Sequence, residues 1–336
     1  MSDKLLQIDK KIKISKKEIL EDYYLINESR QLSLLGRKEV FMGRAKFGVF
    51  GDGKELAQIA MSKVFENGDI RSGYYRDQTF MMAIDQLTSN QFFSQLYSHT
   101  DVTKDPHSAG RQMNCHFATR MLNDSGEWKT LTDIKNSTSD ISCVAGQMPR
   151  LIGLAYASKL YRNNSNLSNN QNFSINGNEV AFGTIGDAGT SEGHFWEAMN
   201  AAGVLQIPLV MSIWDDGYGI SVPSEYHTTR SDLSKVLSGF QRASTKEKGF
   251  EIFTVKAWDY LGLLKTYLKA VEYARKDHVP CIIHVKDVTQ PQGHTTSGSH
   301  ERYKSKERLK WEDDFCCIKK MKEWIIKNKM NDTNGE

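Results

Sequence analysis

Short, almost continuous runs of apolar residues in the second half of the chain alternate with segments of helical periodicity. Four of these runs are predicted to be buried strands, at 179–185, 208–214, 250–258 and 279–287. Two segments between them have the length and composition of helices, at 191–206 and 261–277. Strands that alternate with helices indicate βαβ units, so we expect an α/β fold with a doubly wound, mostly parallel sheet flanked by helices.

The other apolar patterns are weaker but also indicate helices. Apolar side chains recur at roughly helical spacing, and helices are expected at 16–35, 54–65, 144–161 and 311–329. The predicted organisation is a loose basic N-terminus (1–15), a single domain (16–330) and a flexible tail (331–336). Two long polar stretches lie at 100–140 and 288–309. The second follows the last predicted strand, where ligands of such sheets bind, so we expect a functional loop there.

The composition narrows the class of protein. Hydrophobic residues make up 39% and charged residues 25%, as in a folded protein. The net charge of +3, from 44 basic and 41 acidic residues, is too small to indicate nucleic-acid binding. Five cysteines without a Cys-x-x-Cys pair favour a reducing compartment, so a cytoplasmic location is expected. We find no secretory signal and no long apolar run, so a membrane partner is not expected.

Acidic residues follow two consecutive predicted strands. The first strand leads into Gly186, Asp187, Ala188 and Gly189, and the second leads into Asp216. One crossover fills the 29 positions between the two acids (216 − 187 = 29) and returns the chain to the same sheet edge. Two carboxylates beside a helix N-terminus suit Mg²⁺ bridging a diphosphate, although acids of this kind also occur in loops near helix caps.

A second Gly-Asp-Gly motif occurs near the start of the chain. Gly51, Asp52 and Gly53 match such a motif more literally than residues 186–188 do. However, the residue 29 positions beyond Asp52 is Met81, within an apolar run. Because no acid or amide partner follows at that spacing, we do not expect a metal site at Asp52.

Residues 183–222 resemble the thiamine-diphosphate fingerprint of the alpha subunits of 2-oxo acid dehydrogenases. That fingerprint is Gly-Asp-x, a helix that begins Ser-Glu-Gly, and a strand that ends Asn-Asn-x-Tyr. The resemblance runs from about residue 20 to 325 and includes 72–78, 110–117, 142–159 and 292–303. It implies an alpha subunit, or the alpha half of a fused chain, of branched-chain or pyruvate type and of the Bacteroidetes kind. Residues 16–330 would then be a thiamine-diphosphate-binding domain.

The resemblance also implies a set of cofactor-binding residues. Mg²⁺ would be bound by the side chains of Asp187 and Asp216 and by the carbonyl of Tyr218. The diphosphate would be bound by Tyr75 and Arg76, and the aminopyrimidine by backbone atoms at Val144. The backbone would approach the diphosphate closely at Gly186, Ala188 and Gly189.

Further residues are assigned by the same resemblance. Glu192 would open the helix that follows the diphosphate. His294 would face the thiazolium as the catalytic histidine, handling protons or stabilising charge. Arg111, His116 and His300 would lie on the substrate side.

The implied reaction is the oxidative decarboxylation of a 2-oxo acid, with acyl transfer to a lipoyl group. The segment 217–221 favours a branched-chain acid such as 2-oxoisovalerate ahead of pyruvate. The implied partners are the beta subunit or half and the lipoyl domain of the acyltransferase. In this family the beta part supplies the Glu that contacts the aminopyrimidine, so this chain alone is expected to be inactive.

Three positions depart from the family pattern. Position 216 is usually Asn, and here it is Asp216. Arg is frequent where Trp214 stands, and also four positions before the loop histidine, where Gln290 stands. These changes make the charge at the site more negative. They leave open two alternatives: another thiamine-diphosphate enzyme of transketolase type, or a catalytically degenerate scaffold subunit.

Overall fold

The computed structural model describes residues 5–7, 13–167, 170–296 and 298–330, and its largest element is a six-stranded parallel sheet. The strands in chain order are β1 (Leu5–Gln7), β2 (Lys13–Ser15), β3 (Ile70–Ser72), β4 (Asn136–Ser137), β5 (Ala181–Gly186), β6 (Leu209–Trp214), β7 (Tyr218–Gly219), β8 (Val222–Pro223), β9 (Glu251–Lys256) and β10 (Cys281–Lys286). The large sheet has the order β4-β3-β5-β6-β10-β9, and each neighbouring pair is parallel.

Helices cover both faces of this sheet. They are α1 (Lys16–Phe41), α2 (Glu55–Ser62), α3 (Gln78–Ala83), α4 (Ser89–Leu96), α5 (Met148–Asn163), α6 (Gly193–Leu205), α7 (Leu233–Leu237), α8 (Tyr260–Asp277), α9 (Lys306–Asp314) and α10 (Cys317–Lys327). One core contains apolar side chains of α5, α6 and α7, and the other contains those of α1 to α4, α8 and α10. The expected doubly wound α/β architecture is therefore confirmed.

Successive side chains of the central strands belong alternately to the two cores. In β6, Val210 and Trp214 belong to the core of α2 and α8, whereas Met211 and Ile213 belong to the core of α5 and α6. Successive side chains of a strand point to opposite faces, so a strand that is apolar throughout is buried on both sides. This burial explains why β5, β6 and β10 are evident from the sequence.

The four strands predicted in the second half are all present, with ends shifted by at most two residues. Two strands of the sheet, β3 and β4, were not predicted because they are short and polar. The single helix expected at 311–329 is wrong. Ser305 caps α9 by accepting a hydrogen bond from the Arg308 amide. This helix ends at Phe315, before α10 begins.

The ends of the chain were expected to be loose. The structure differs for part of residues 1–15, because β1 pairs antiparallel with β2. The Ser15 hydroxyl then caps α1 by accepting from the Glu18 amide. The predicted tail, 331–336, lies outside the described residues. Among the described helices, none combines the length and apolar character required to cross a lipid bilayer.

Candidate functional site

Four neighbouring strands end at one cavity. Tyr74 and Arg76 follow β3, Asp187 follows β5, Asp216 follows β6, and the loop with His294 follows β10. The cavity has a volume of about 50 Å³ that water-sized molecules can reach. Its walls are formed by Lys54, Tyr74, Tyr75, Arg76, Ile141, Cys143, Val144, Ala145, Gln147, Ile185, Gly186, Asp187, Ala188, Gly189, Asp216, Tyr218 and His294. Carboxyl ends of parallel strands are where such folds bind ligands.

Most of the predicted cofactor residues are brought together in this cavity. They are Tyr75, Arg76, Val144, Gly186, Asp187, Ala188, Gly189, Asp216, Tyr218 and His294. Glu192, Arg111, His116 and His300 are not among the residues of its walls. The two acids that are 29 positions apart in sequence therefore lie at one site, as the crossover geometry requires.

The segment after β5 differs from the expected direct entry into a helix. Ala188–Ser191 form a short 3-10 turn, and α6 begins only at Gly193, after the exposed Glu192. The Asp187 carbonyl accepts hydrogen bonds from the Thr190 amide (3.0 Å) and hydroxyl (2.6 Å). This turn fixes the backbone of Asp187. The carboxylate of Asp187 does not cap a helix and instead lines the cavity.

Asp187 is the acid of the site whose carboxylate is buried without a full set of hydrogen bonds. Its side chain is buried, and Oδ2 has no hydrogen-bond partner in the described part of the chain. Burial, and then the nearby carboxylates of Asp216 and Asp215, raise the pKa of Asp187 well above its usual value. A buried carboxylate without a donor is costly, so this oxygen is well suited to a cation or a proton.

Two more buried polar atoms at the cavity have no partner among the described residues. They are the hydroxyl of Tyr74 and Nδ1 of His294. Buried polar groups in proteins are nearly always hydrogen-bonded, so several exceptions around one cavity indicate a polar ligand.

Asp216 has partners on both carboxylate oxygens. Its Oδ1 accepts from the Tyr218 amide (3.1 Å), and its Oδ2 accepts from Lys54 Nζ (3.1 Å). Burial opposes ionisation of this acid, but the charges of Lys54, Lys304 and Arg76 outweigh it and hold the pKa of Asp216 below its usual value. Asp216 is therefore a carboxylate, in contrast to Asp187, whose ionised form is disfavoured.

The neighbouring acid, Asp215, has a structural role. Its Oδ2 lies 2.8 Å from His284 Nε2, and its Oδ1 accepts from the Gly217 amide (3.0 Å). Asp215 is not part of the cavity wall. These bonds fix the turn after β6 and thereby place Asp216 at the site.

Lys54 is the site residue that the sequence analysis missed. It belongs to the Gly51–Lys54 segment, which was set aside as a metal motif, and its side chain is 1% exposed. Besides Asp216, its ammonium group donates to Gln290 Oε1 at 2.6 Å. Lysine is almost never fully buried unless it is paired, so nothing in the sequence pattern singled it out.

Arg76 and Tyr75 form another wall of the cavity. The Arg76 guanidinium donates to the carbonyls of Phe50 (2.6 Å) and His294 (2.9 Å), which uses two of its five N–H groups. The Cζ atom of Arg76 lies 5.4 Å from the centroid of the Tyr75 ring. Arg76 therefore holds the loop of His294 against the sheet and keeps a positive charge at the cavity.

His294 is neutral at physiological pH. Burial, and then the positive charge of Arg76, lower the pKa of His294 from 6.5 to about 3. A neutral imidazole can accept a proton or a hydrogen bond through one nitrogen and donate through the other. The imidazole is therefore suited to donating and accepting hydrogen bonds in its neutral form.

The three residues expected on the substrate side are not part of the cavity wall. His116 is buried behind Tyr75, with ring centroids 6.4 Å apart, and its Nε2 lies 2.9 Å from the Ser142 hydroxyl. Arg111 is exposed and donates to the Ser108 carbonyl. His300 lines a separate surface depression together with Arg37, Phe41, Gln292, Thr296, Gly298, Ser299, Glu301 and Arg302.

The donors at the cavity fit a small dication that shares a phosphate ligand. Asp187 and Asp216 offer carboxylate oxygens, and Tyr218 lies in the cavity wall beside them. The described residues contain no group of three or more His, Cys, Asp or Glu side chains arranged for a metal. A site with two carboxylates needs further oxygens from its ligand, which is typical of Mg²⁺ bound with phosphates. Arg76 supplies positive charge for such an anion.

Comparisons with known proteins point to one family. The family described as "Dehydrogenase E1 component" matches residues 36–335. The alpha 2 subunit of mitochondrial 2-oxoisovalerate dehydrogenase from Arabidopsis thaliana is 26% identical over 270 residues, which are 80% of this chain and 48% of that protein. The alpha subunit of 2-oxoisovalerate dehydrogenase from Bacillus subtilis (strain 168) is 25% identical over 72% of this chain and 62% of its own.

A third relative is similar over a longer part of the chain. The mitochondrial 2-oxoisovalerate dehydrogenase alpha subunit of Mus musculus is 23% identical over 93% of this chain and 62% of its own. The chain spans about half to two thirds of the length of these curated relatives. The family match covers most of the chain and agrees with the fold and with the acids at the ends of β5 and β6, so the chain belongs to the dehydrogenase E1 component family.

Proposed function

We propose that this chain is the alpha part of a 2-oxo acid dehydrogenase first component and binds thiamine diphosphate with Mg²⁺. The observation that carries the proposal is the buried, unpartnered carboxylate oxygen of Asp187 beside Asp216 in a cavity lined by Arg76 and Lys54. A dication held by the two acids binds the diphosphate, and Arg76 adds a positive charge beside that anion.

Each side chain then has a definite task. Asp187, Asp216 and the Tyr218 carbonyl hold Mg²⁺, and Arg76 binds the diphosphate. His294 accepts or returns a proton as a neutral imidazole. When it is bound, thiamine diphosphate supplies the carbon nucleophile and the electron sink for loss of CO₂. The protein orients the cofactor and shields it from water.

The substrate proposed is a branched-chain 2-oxo acid such as 2-oxoisovalerate, with pyruvate as the next candidate. The proposal is supported by the relatives named above, which are 2-oxoisovalerate dehydrogenase alpha subunits. We further propose acyl transfer to the lipoyl domain of an acyltransferase, a beta partner that completes the site, and a cytoplasmic location. The exposed Val144 and Cys143 at the cavity provide a surface where a partner can complete it.

The test is a reconstituted assay. The chain is mixed with a candidate beta partner, thiamine diphosphate and Mg²⁺, and reduction of an artificial electron acceptor is followed with 2-oxoisovalerate or pyruvate. We expect turnover with the pair and none with either chain alone, and loss of turnover in Asp187→Ala. If the assembled pair binds the cofactor yet reduces nothing with either acid, the dehydrogenase proposal fails for these substrates.

A further inference from the structure

Four buried polar side chains form a continuous chain beside the cavity. The Lys54 ammonium donates to Asp216 Oδ2 (3.1 Å) and to Gln290 Oε1 (2.6 Å). The amide nitrogen of Gln290 donates to Asp52 Oδ2 at 3.0 Å. All four are less than one tenth exposed. Gln290 therefore orients the ammonium group from one side, and Asp216 receives it on the other.

The backbone before α2 contains two glycines at points where the chain passes very close to other segments of the protein. Gly53 has φ +90°, and a Cβ there would lie 1.7 Å from the Thr289 carbonyl oxygen. A Cβ at Gly51 would lie 2.5 Å from the Arg76 carbonyl oxygen. Only glycine permits these close approaches. Gly53 thus lets the turn before α2 lie directly against Thr289, and Gly51 lets it lie against Arg76, which brings Lys54 to the cavity.

We propose that Lys54 is a positioning residue. Its ammonium group neutralises the negative charge of Asp216, so that Asp216 can take part in a metal–diphosphate site as a neutral amide side chain would. The inference rests on the proposed function. Oδ2 of Asp216 is engaged by the ammonium group, while Oδ1, which accepts only one amide hydrogen in the described structure, has a second lone pair for a cation. The pair carries no net charge, so the extra acid does not repel an anionic ligand.

The same arrangement accounts for two sequence departures together. An amide is usual at position 216 in the resemblance, and an arginine is usual at position 290. Here an acid and a neutral amide stand at these positions, and the cation comes from Lys54. Relative to the family pattern, the positive charge lies on the turn before α2 instead of on the loop after β10, and Gln290 of that loop is hydrogen-bonded to it.

A double-mutant cycle tests the proposal on the full chain assembled with its candidate beta partner. Thiamine diphosphate in the presence of Mg²⁺ is titrated by calorimetry into the wild type, Lys54→Met, Asp216→Asn and the double variant. Lys63→Met is the matched control, because it removes a lysine that pairs with a buried acid, Asp22, away from the cavity. The urea midpoint of each cofactor-free variant is measured in parallel to check folding.

We expect Lys54→Met to weaken cofactor binding by at least about tenfold, because it leaves a buried carboxylate unpaired beside the anion. Adding Asp216→Asn to it restores the affinity to within about threefold of wild type, and also raises the urea midpoint. Lys63→Met leaves the affinity unchanged. If Lys54→Met costs the same with and without Asp216→Asn, Lys54 acts on the ligand directly and the inference is wrong. If the wild type binds no cofactor at all, the proposed function falls, and this inference falls with it.

Discussion

Two adjacent acids show how strongly environment decides the role of a residue. Asp215 and Asp216 follow the same strand, yet the first is fixed by His284 and the Gly217 amide, and the second contacts Lys54 at the cavity. The sequence predicts that an acid at this strand end reaches the site. The strand end and the spacing from Asp187 point to Asp216, but they do not by themselves explain why its neighbour Asp215 has a structural role instead.

Removing the charge of Asp187 is expected to have opposite effects on stability and binding. In Asp187→Asn a buried carboxylate with an unpartnered oxygen is lost, so the cofactor-free chain should be more stable by about 0.5–2 kcal/mol in urea unfolding. Mg²⁺-dependent binding of thiamine diphosphate should fall by more than about tenfold.

The matched control is Asp215→Asn. It removes an acid that is satisfied by two hydrogen bonds, so it should destabilise the chain. Equal destabilisation by both variants would show that Asp187 is an ordinary structural acid.

The imidazole of His294 gives a prediction for pH. Its pKa is about 3 in the folded chain and near 6.5 when unfolded, so the unfolded chain binds more protons between these values. The free energy of unfolding of the wild type should therefore fall, relative to His294→Gln, as the pH is lowered from 7.5 to 5. Urea unfolding at several pH values measures this difference. A difference that does not change with pH would contradict a buried neutral histidine.

At the scale of elements, the sheet separates into strands that the sequence predicts and strands that it does not. β5, β6 and β10 are buried on both faces and are therefore apolar throughout. β3 carries the fully buried Arg71, whose guanidinium donates to Asp77 (2.5 Å) and Asp140 (3.0 Å). A charged residue in so short a strand obscures the apolar pattern, because its burial depends on ion pairs, and one of these joins it to an acid 69 positions away.

This buried cluster fixes the segment that carries Tyr75 and Arg76, since Arg71 also donates to the Tyr74 carbonyl. Arg71→Met leaves two buried carboxylates without their common cation. We expect it to lower the free energy of unfolding by about 3–5 kcal/mol in urea titrations.

The control for this prediction is Lys320→Ala. It breaks an ion pair with Glu323, whose side chain is 64% exposed, and should cost less than about 1 kcal/mol. Similar losses in the two variants would mean that the Arg71 cluster contributes no more than a surface pair.

At the scale of the whole molecule, the site is formed by turns that lie far apart in sequence. The sequence predicted the sheet, the two acids and the loop histidine, because local pattern and family resemblance coincide there. It could not predict Lys54 or the fourth strand end at β3, since these depend on how residues 51–54 and 70–76 pack against the sheet. The residues expected to contact substrate, Arg111, His116 and His300, lie outside the cavity.

The central claim is that the cavity at these strand ends binds a diphosphate through a divalent cation. The most direct measurement is calorimetric titration of the full chain, assembled with its candidate beta partner. The ligands are thiamine diphosphate, with Mg²⁺ or with EDTA, and thiamine, which lacks the diphosphate. We predict saturable binding with Mg²⁺, at least about tenfold weaker binding with EDTA, and weak or undetectable binding of thiamine. Binding that is indifferent to Mg²⁺ and to the diphosphate, or no binding under either condition, would contradict the account.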